Sequence, residues 1–222
     1  MITTVYLIRH SVRFNSKRII KNNSSQSKIL LNEKICLSVE GEKRAEILCN
    51  EKELQNIDAV YASNCVRTLQ TAKYLIERQN IGVTIDDRFD ERKSGKPNDH
   101  IYKDWWVRQF TDENFKTEGG ESQKEVVARF SEAFYEMLNQ NKGKRVAIFS
   151  HGYAIFFFLM TWCKFEYLGE KDSVKLTYNG KDIFNKKISA PEVFKLLFDD
   201  DKLASIDCLE FEDLPYMDAL SW

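Results

Sequence analysis

At 222 residues the chain is long enough for one sizeable domain with a full apolar core. Its 43% hydrophobic and 30% charged residues are those of a soluble globular protein, and a net charge of −1 supplies no general pull toward nucleic acid or acidic membranes. Five scattered cysteines with no C-x-x-C pair argue against a disulfide framework or a zinc site, and for reduced thiols in a cytoplasmic protein.

The chain runs straight into a strand, Thr3–Ile8, without a basic and apolar leader. Its unbroken apolar run is that of a strand buried on both faces, and it ends at Arg9-His10-Ser11. A polar stretch rich in Asn, Ser and Lys follows and reads as a long loop over residues 13–35. It carries Arg13, Lys17, Arg18, Lys21, Lys28 and Lys34 against the single acid Glu33, either a solvated loop or an attractor for an anionic substrate. Ser38 is placed to cap a helix with Gly41 in its first turn and Ala45, Ile47 and Leu48 at helical spacing.

A second strand, Ala59–Ala62, leads through Ser63-Asn64 into a helix over Cys65–Arg78 with Val66, Leu69, Ala72, Leu75 and Ile76 on one stripe. Val83–Ile85 is a third strand, running into Asp86–Glu91. Residues 93–120 read as a cap-like irregular insertion, with Trp105 and Trp106 packing it over the sheet and His100 on the surface. Gly119-Gly120-Glu121-Ser122 breaks the chain before a helix whose core stripe runs from Val126 to Leu138; Glu121 and Ser122 either cap it or orient the site, and capping alone would explain them. The strand Arg145–Phe149 leads through Ser150-His151-Gly152 into an apolar helix, Tyr153–Phe165, shorter than the roughly 18 residues a membrane span needs. Beyond it, Ser173–Tyr178 and Ile206–Phe211 read as strands and Pro191–Phe198 as a helix, with the acidic C-terminal end solvated.

Strands alternating with helices predict an α/β fold: a three-layer sandwich with a mostly parallel central sheet, helices on both faces and an antiparallel edge strand. No linker or repeat divides the chain, so residues 1–222 read as one domain.

In such sheets ligands bind at the carboxyl ends of the strands. Four strand ends here carry polar groups: Arg9 and His10, then Arg67, then Glu91, then His151. Arginine forks match phosphate oxygens, and Arg67 in the first turn of a helix adds the backbone N–H groups and dipole that favour an anion. A near-neutral histidine can act as nucleophile and a nearby carboxyl as general acid. Phosphoryl transfer needs dense positive donors and an in-line attacker, and this set provides both. No metal-ligand cluster or glycine-rich phosphate loop is evident, so neither a metal nor a cofactor is expected.

With these residues in view, the chain resembles the histidine phosphatase superfamily, which includes phosphoglycerate mutase-like proteins and many small-molecule phosphatases. The family's Arg-His-Gly after the first strand is matched by Arg9-His10-Ser11. Its Ser-x-x-x-Arg-x-x-x-Thr-Ala is matched by Ser63, Arg67, Thr71 and Ala72. Its Glu after the next strand falls on Glu91, its Gly-Glu-Ser on Gly120-Glu121-Ser122, and its Ser-His-Gly on Ser150-His151-Gly152. The motifs stand in family order over about residues 3–158.

The resemblance implies that His10 carries the phosphoryl group during turnover, that Arg9, Arg67 and His151 hold it, and that Glu91 protonates the leaving oxygen. The chain departs from the family at Ser11, where a glycine is usual, and at Val12-Arg13, where Glu-Thr is usual. The family's asparagine falls on Ser16, with Asn15 one place early. Candidate substrate contacts are Ser11, Arg13, Asn15 and Arg92. The expected activity is metal-independent hydrolysis of a small phosphomonoester through a phosphohistidine, with no nucleic-acid or membrane partner. A phosphoglycerate mutase-like transfer and a catalytically weak phosphate-binding module are the alternatives.

Overall fold

A computed structural model describes residues 1–15, 32–95, 104–170 and 172–211. Strand β1 (Ile2–Arg9) has only Ile2 exposed, because both of its faces are covered. It lies inside a six-stranded sheet of order β3-β2-β4-β1-β8-β9, formed with β2 (Ala59–Ala62), β3 (Val83–Ile85), β4 (Arg145–Ser150), β8 (Glu192–Asp199) and β9 (Lys202–Leu209). The first four strands run parallel; β8 runs antiparallel to β1, and β9 antiparallel to β8 at the sheet edge. The fold is thus mixed α/β, as the alternation of elements predicts.

Alternation along β1 divides the core in two. Tyr6 and Ile8 pack with Leu48 of α1 (Val39–Asn50) and Leu75 of α2 (Val66–Gln79). Val5 and Leu7 pack on the other face with Phe130 and Phe134 of α4 (Gln123–Gln140) and with Phe156 and Phe158 of α5 (Gly152–Leu159). Each such side chain contributes about 1.5–3 kcal/mol on burial. Among the described residues, no helix is long and apolar enough to cross a membrane.

Several expectations are corrected. Pro191–Phe198 contains no helix: β8 pairs with β1 along its whole length, from Ile2↔Asp199 to Arg9↔Glu192. The short apolar run at residues 193–198, broken by Lys195 alone, is not separated from a buried helix by periodicity. The apolar helix ends at Leu159, and the chain leaves as β5 (Lys164–Tyr167) to form a separate antiparallel sheet with β6 (Ser173–Tyr178) and β7 (Lys181–Lys187). Residues 93–120 include a helix, α3 (Trp105–Thr111), whose start at Asp104 makes no side-chain cap. His100, Ser16, Lys17, Arg18, Lys21 and Lys28 lie outside the described residues.

Ser38 caps α1 as expected, accepting from the Gly41 N–H. Its own N–H and hydroxyl both donate to the Val12 carbonyl, at 2.9 and 3.2 Å, which ties the start of α1 to the segment after His10. A Cβ at residue 41 would stand 1.9 Å from the Val12 oxygen, so only glycine fits.

Candidate active site

Parallel pairing of β1 with β4 sets Arg9 opposite Ser150, and the His10 N–H continues the ladder to the Ser150 carbonyl at 2.9 Å. The next residues along, His10 and His151, therefore meet, with ring centroids 5.1 Å apart. The Ser150 hydroxyl donates to the Phe89 carbonyl at 2.7 Å, bringing the turn after β3 to the same end of the sheet.

His10 Nδ1 lies 2.7 Å from the Ser11 carbonyl oxygen. That oxygen can only accept, so the proton sits on Nδ1 and the lone pair on Nε2. Nε2 is buried and has no hydrogen-bond partner among the described residues. Burial, followed by the Arg67 and Arg9 charges, holds the imidazole well below its ordinary pKa. His10 is therefore a neutral ring whose buried Nε2 is left without a donor among the described residues.

His151 has the opposite tautomer. The Arg67 guanidinium, which can only donate, reaches Nδ1 at 3.0 Å, so Nε2–H donates to the Ser63 hydroxyl at 2.8 Å. Burial and then Arg67 also push this ring's pKa well down. Arg67 Nη1 donates to the Asn32 carbonyl at 2.7 Å, and Arg9 Nη1 to the Ser189 carbonyl at 2.6 Å. Gly152 leaves room for Arg9: a Cβ there would be 3.2 Å from its Nε. Arg13 is pushed down to about 10 by burial and by Arg67 and Arg9. Three arginines thus crowd two neutral histidines, a field that calls for an anion.

Glu91 faces this cluster from the N-terminus of α5. Its Oε1 accepts from the N–H groups of Arg92 and Ala154 at 2.9 and 3.1 Å, and its Oε2 from Tyr153 N–H at 3.4 Å. An open cleft of about 280 Å³ lies outside, lined by Arg13, Asn32, Asp90, Glu91, Arg92 and Tyr153 among others. Arg92 Nη1 donates to Gln109 at 3.1 Å and its guanidinium lies 5.3 Å from the centre of the Trp105 ring. Asn15 is exposed and is not among the cleft-lining residues.

Ser11 fits where a glycine was usual. Its N–H donates to Thr71 Oγ1 at 3.0 Å, and its fully buried hydroxyl has no partner among the described residues. Ser122 alone caps α4, in a reciprocal pair with Glu125, while Glu121 bonds Arg129.

Sequence reasoning missed Ser189, whose carbonyl holds Arg9 across 180 residues and which no local signal marks. It also missed Asp90, whose carboxyl burial raises to about 6 and which accepts from Asn64 N–H at 3.1 Å. Ligand atoms of Asp90, Cys65 and His151 come within 4.8 Å of one another. This set suits a cation poorly. Both His151 nitrogens are engaged, burial pushes the Cys65 thiol up to about 11, and Arg67 stands beside them.

The model of the histidine phosphatase superfamily (branch 1) matches residues 5–172. The chain is 26% identical over 160 residues to a probable phosphoglycerate mutase GpmB of Enterobacter sp. (strain 638), covering 68% of this chain and 70% of that one. It is 28% identical, over the same shares, to the corresponding Serratia proteamaculans protein. Similar solved structures include Bacillus stearothermophilus YhfR (TM-score 0.64, 20% identity, covering 90% of this chain and 94% of that one). A phosphoserine phosphatase from Entamoeba histolytica, solved with phosphoserine, has a TM-score of 0.61 at 17% identity, covering 92% and 96%. At these identities the structures show a shared fold. The chain belongs to the histidine phosphatase superfamily, branch 1.

Proposed function

We propose that the protein hydrolyses small phosphomonoesters through a phosphohistidine on His10, without a metal. The observation that carries this reading is the His10 Nε2 lone pair: buried, without a partner among the described residues, and in the field of the Arg9, Arg67 and Arg13 guanidiniums. Those cations supply the charge that a transferring phosphoryl group needs around its equatorial oxygens.

In the first step Nε2 attacks phosphorus as the ester P–O bond breaks, and Glu91, protonated for this step, gives its proton to the departing oxygen. Arg9 and Arg67 hold the phosphoryl oxygens, joined by His151 when its Nε2–H turns from the Ser63 hydroxyl. In the second step Glu91, now a carboxylate, takes a proton from water; the resulting hydroxide attacks phosphorus, the N–P bond breaks and inorganic phosphate leaves. The proton stays on His10 Nδ1, donated to the Ser11 carbonyl throughout, which keeps the lone pair on Nε2.

Relatives named as probable phosphoglycerate mutases favour a second reading, transfer of the phosphoryl group to another hydroxyl. Ser11, Arg13 and Arg92 are the substrate contacts we infer beyond the phosphoryl group, for a small phosphorylated molecule in the cytoplasm. No role with nucleic acid or membrane is proposed.

Incubation with generic phosphomonoesters, with and without chelator, tests this. Phosphate release that survives chelation and disappears in His10→Ala supports the hydrolase. Movement of the phosphoryl group to a second hydroxyl without release supports the mutase. No release, no transfer and no phosphate on His10 would leave a phosphate-binding module.

A further inference from the structure

Because Ser122 caps α4, Glu121 is available for another contact, and it makes one that reaches the candidate acid. Its carboxylate takes Arg129 two-pronged, Oε1 from Nε at 2.9 Å and Oε2 from Nη2 at 3.0 Å, with the pair only 15% and 18% exposed. The rest of the Arg129 fork goes to backbone. Nη1 donates to the carbonyls of Arg88 and Asp90 at 2.7 and 2.9 Å, and Nη2 to that of Glu91 at 3.3 Å. Glu121 secures the other side, accepting from Lys93 N–H at 2.9 Å and donating its own N–H to the Lys93 carbonyl at 2.8 Å.

From these contacts we infer that Arg129, oriented by Glu121, is a positioning residue that holds the backbone on both sides of Glu91 and so aims its carboxyl at the leaving oxygen. This rests on the reading of Glu91 as the acid. Among the described residues the segment has no strand partner past Ile85, and while the turn Asp87–Phe89 satisfies the Asp86 and Asp87 carbonyls and Ser150 that of Phe89, the carbonyls of Arg88, Asp90 and Glu91 are met from α4. Five acceptor atoms meet one planar group, a geometry that a guanidinium fork satisfies and an ammonium does not. A general acid must lie within hydrogen-bond reach of its target, and a shift of about 1 Å costs on the order of 100-fold.

The test compares an alkyl phosphomonoester such as glycerol phosphate, whose leaving group needs a proton, with 4-nitrophenyl phosphate, whose leaving group does not. Arg129→Lys is expected to lower kcat on the alkyl ester by about 10- to 100-fold and on the nitrophenyl ester by less than about threefold, with KM little changed. Added to Glu91→Gln it is expected to cost almost nothing more. Should Arg129→Lys fail to fold by circular dichroism, Glu121→Gln is expected to show the same substrate pattern at smaller size. Equal losses on both esters, wild-type activity in Arg129→Lys, or additive losses with Glu91→Gln would overturn the inference. If Glu91→Gln itself lowers both esters equally, the acid reading fails first and the inference falls with it.

Discussion

His10 and His151 lie side by side because one register, Arg9↔Ser150, joins two parallel strands 141 positions apart, and each ring carries its proton on the opposite nitrogen. His10 keeps Nε2 free, whereas His151 uses both nitrogens, accepting from Arg67 and donating to Ser63. The pair is chemically unequal before any substrate arrives, and this asymmetry supports the proposal that His10 is the attacking ring.

The first expectation concerns pH and rate. Burial, Arg67 and Arg9 hold the His10 pKa well down in the free protein, so the acid limb of kcat/KM should fall clearly below the ordinary histidine value of about 6.5. A bound phosphoryl dianion offsets those arginines and favours the protonated ring, so the acid limb of kcat should lie at higher pH than that of kcat/KM. A full pH–rate profile checks both; limbs that coincide near 6.5 would count against the electrostatic picture.

Stability should move with the same groups. In the unfolded chain each imidazole takes up a proton as the pH falls through about 6.5, whereas folded His10 and His151 resist until lower pH. The unfolded state then binds more protons, so stability is lost below pH 6.5, by up to about 1.4 kcal/mol per pH unit for each histidine. Melting curves from pH 7 to 5 should show Tm falling. Added phosphate should shrink the fall, and His10→Asn should remove part of it.

Ser11 offers a separate handle. Its hydroxyl is buried with no partner among the described residues, so Ser11→Ala should leave Tm unchanged or slightly higher. If that hydroxyl serves the phosphoryl group, the same change should weaken phosphate binding about 2- to 10-fold, the range of one hydrogen bond. Isothermal titration with inorganic phosphate beside a thermal melt separates the two effects.

Two glycines should respond differently. Gly41→Ala drives a Cβ into the Val12 carbonyl, backbone against backbone, and should cost about 1–3 kcal/mol or more in denaturant unfolding. Gly152→Ala meets the Arg9 side chain at 3.2 Å, which can yield by a few tenths of an ångström. It should raise KM with little loss of stability.

Much of this site is legible in sequence because a buried parallel strand leaves an unbroken apolar run and its C-terminal end projects polar residues into the crevice. Arg9, His10, Arg67, Glu91 and His151 all follow from that pattern, and the structure brings them together. What was not legible depends on contacts far apart in the chain. Ser189 reaches Arg9 only because β8 returns antiparallel to β1, and β8 itself reads like a helix because its apolar run, broken only by Lys195, shows no clean alternation. Helix α3 escaped notice because it is short and uncapped, and Arg129 because a surface-helix arginine carries no mark of the carbonyls it holds. Ser122 and Glu121 show the opposite limit: adjacent in one motif, they turn away from each other, one to a helix end and one to Arg129.

The most direct measurement is to quench the protein during turnover of a phosphomonoester and locate any phosphoryl group by mass spectrometry under conditions that preserve phosphohistidine. The expected result is one acid-labile phosphoryl group on His10, absent in His10→Ala together with turnover. Phosphate on another residue, or turnover that persists in His10→Ala, would contradict the account.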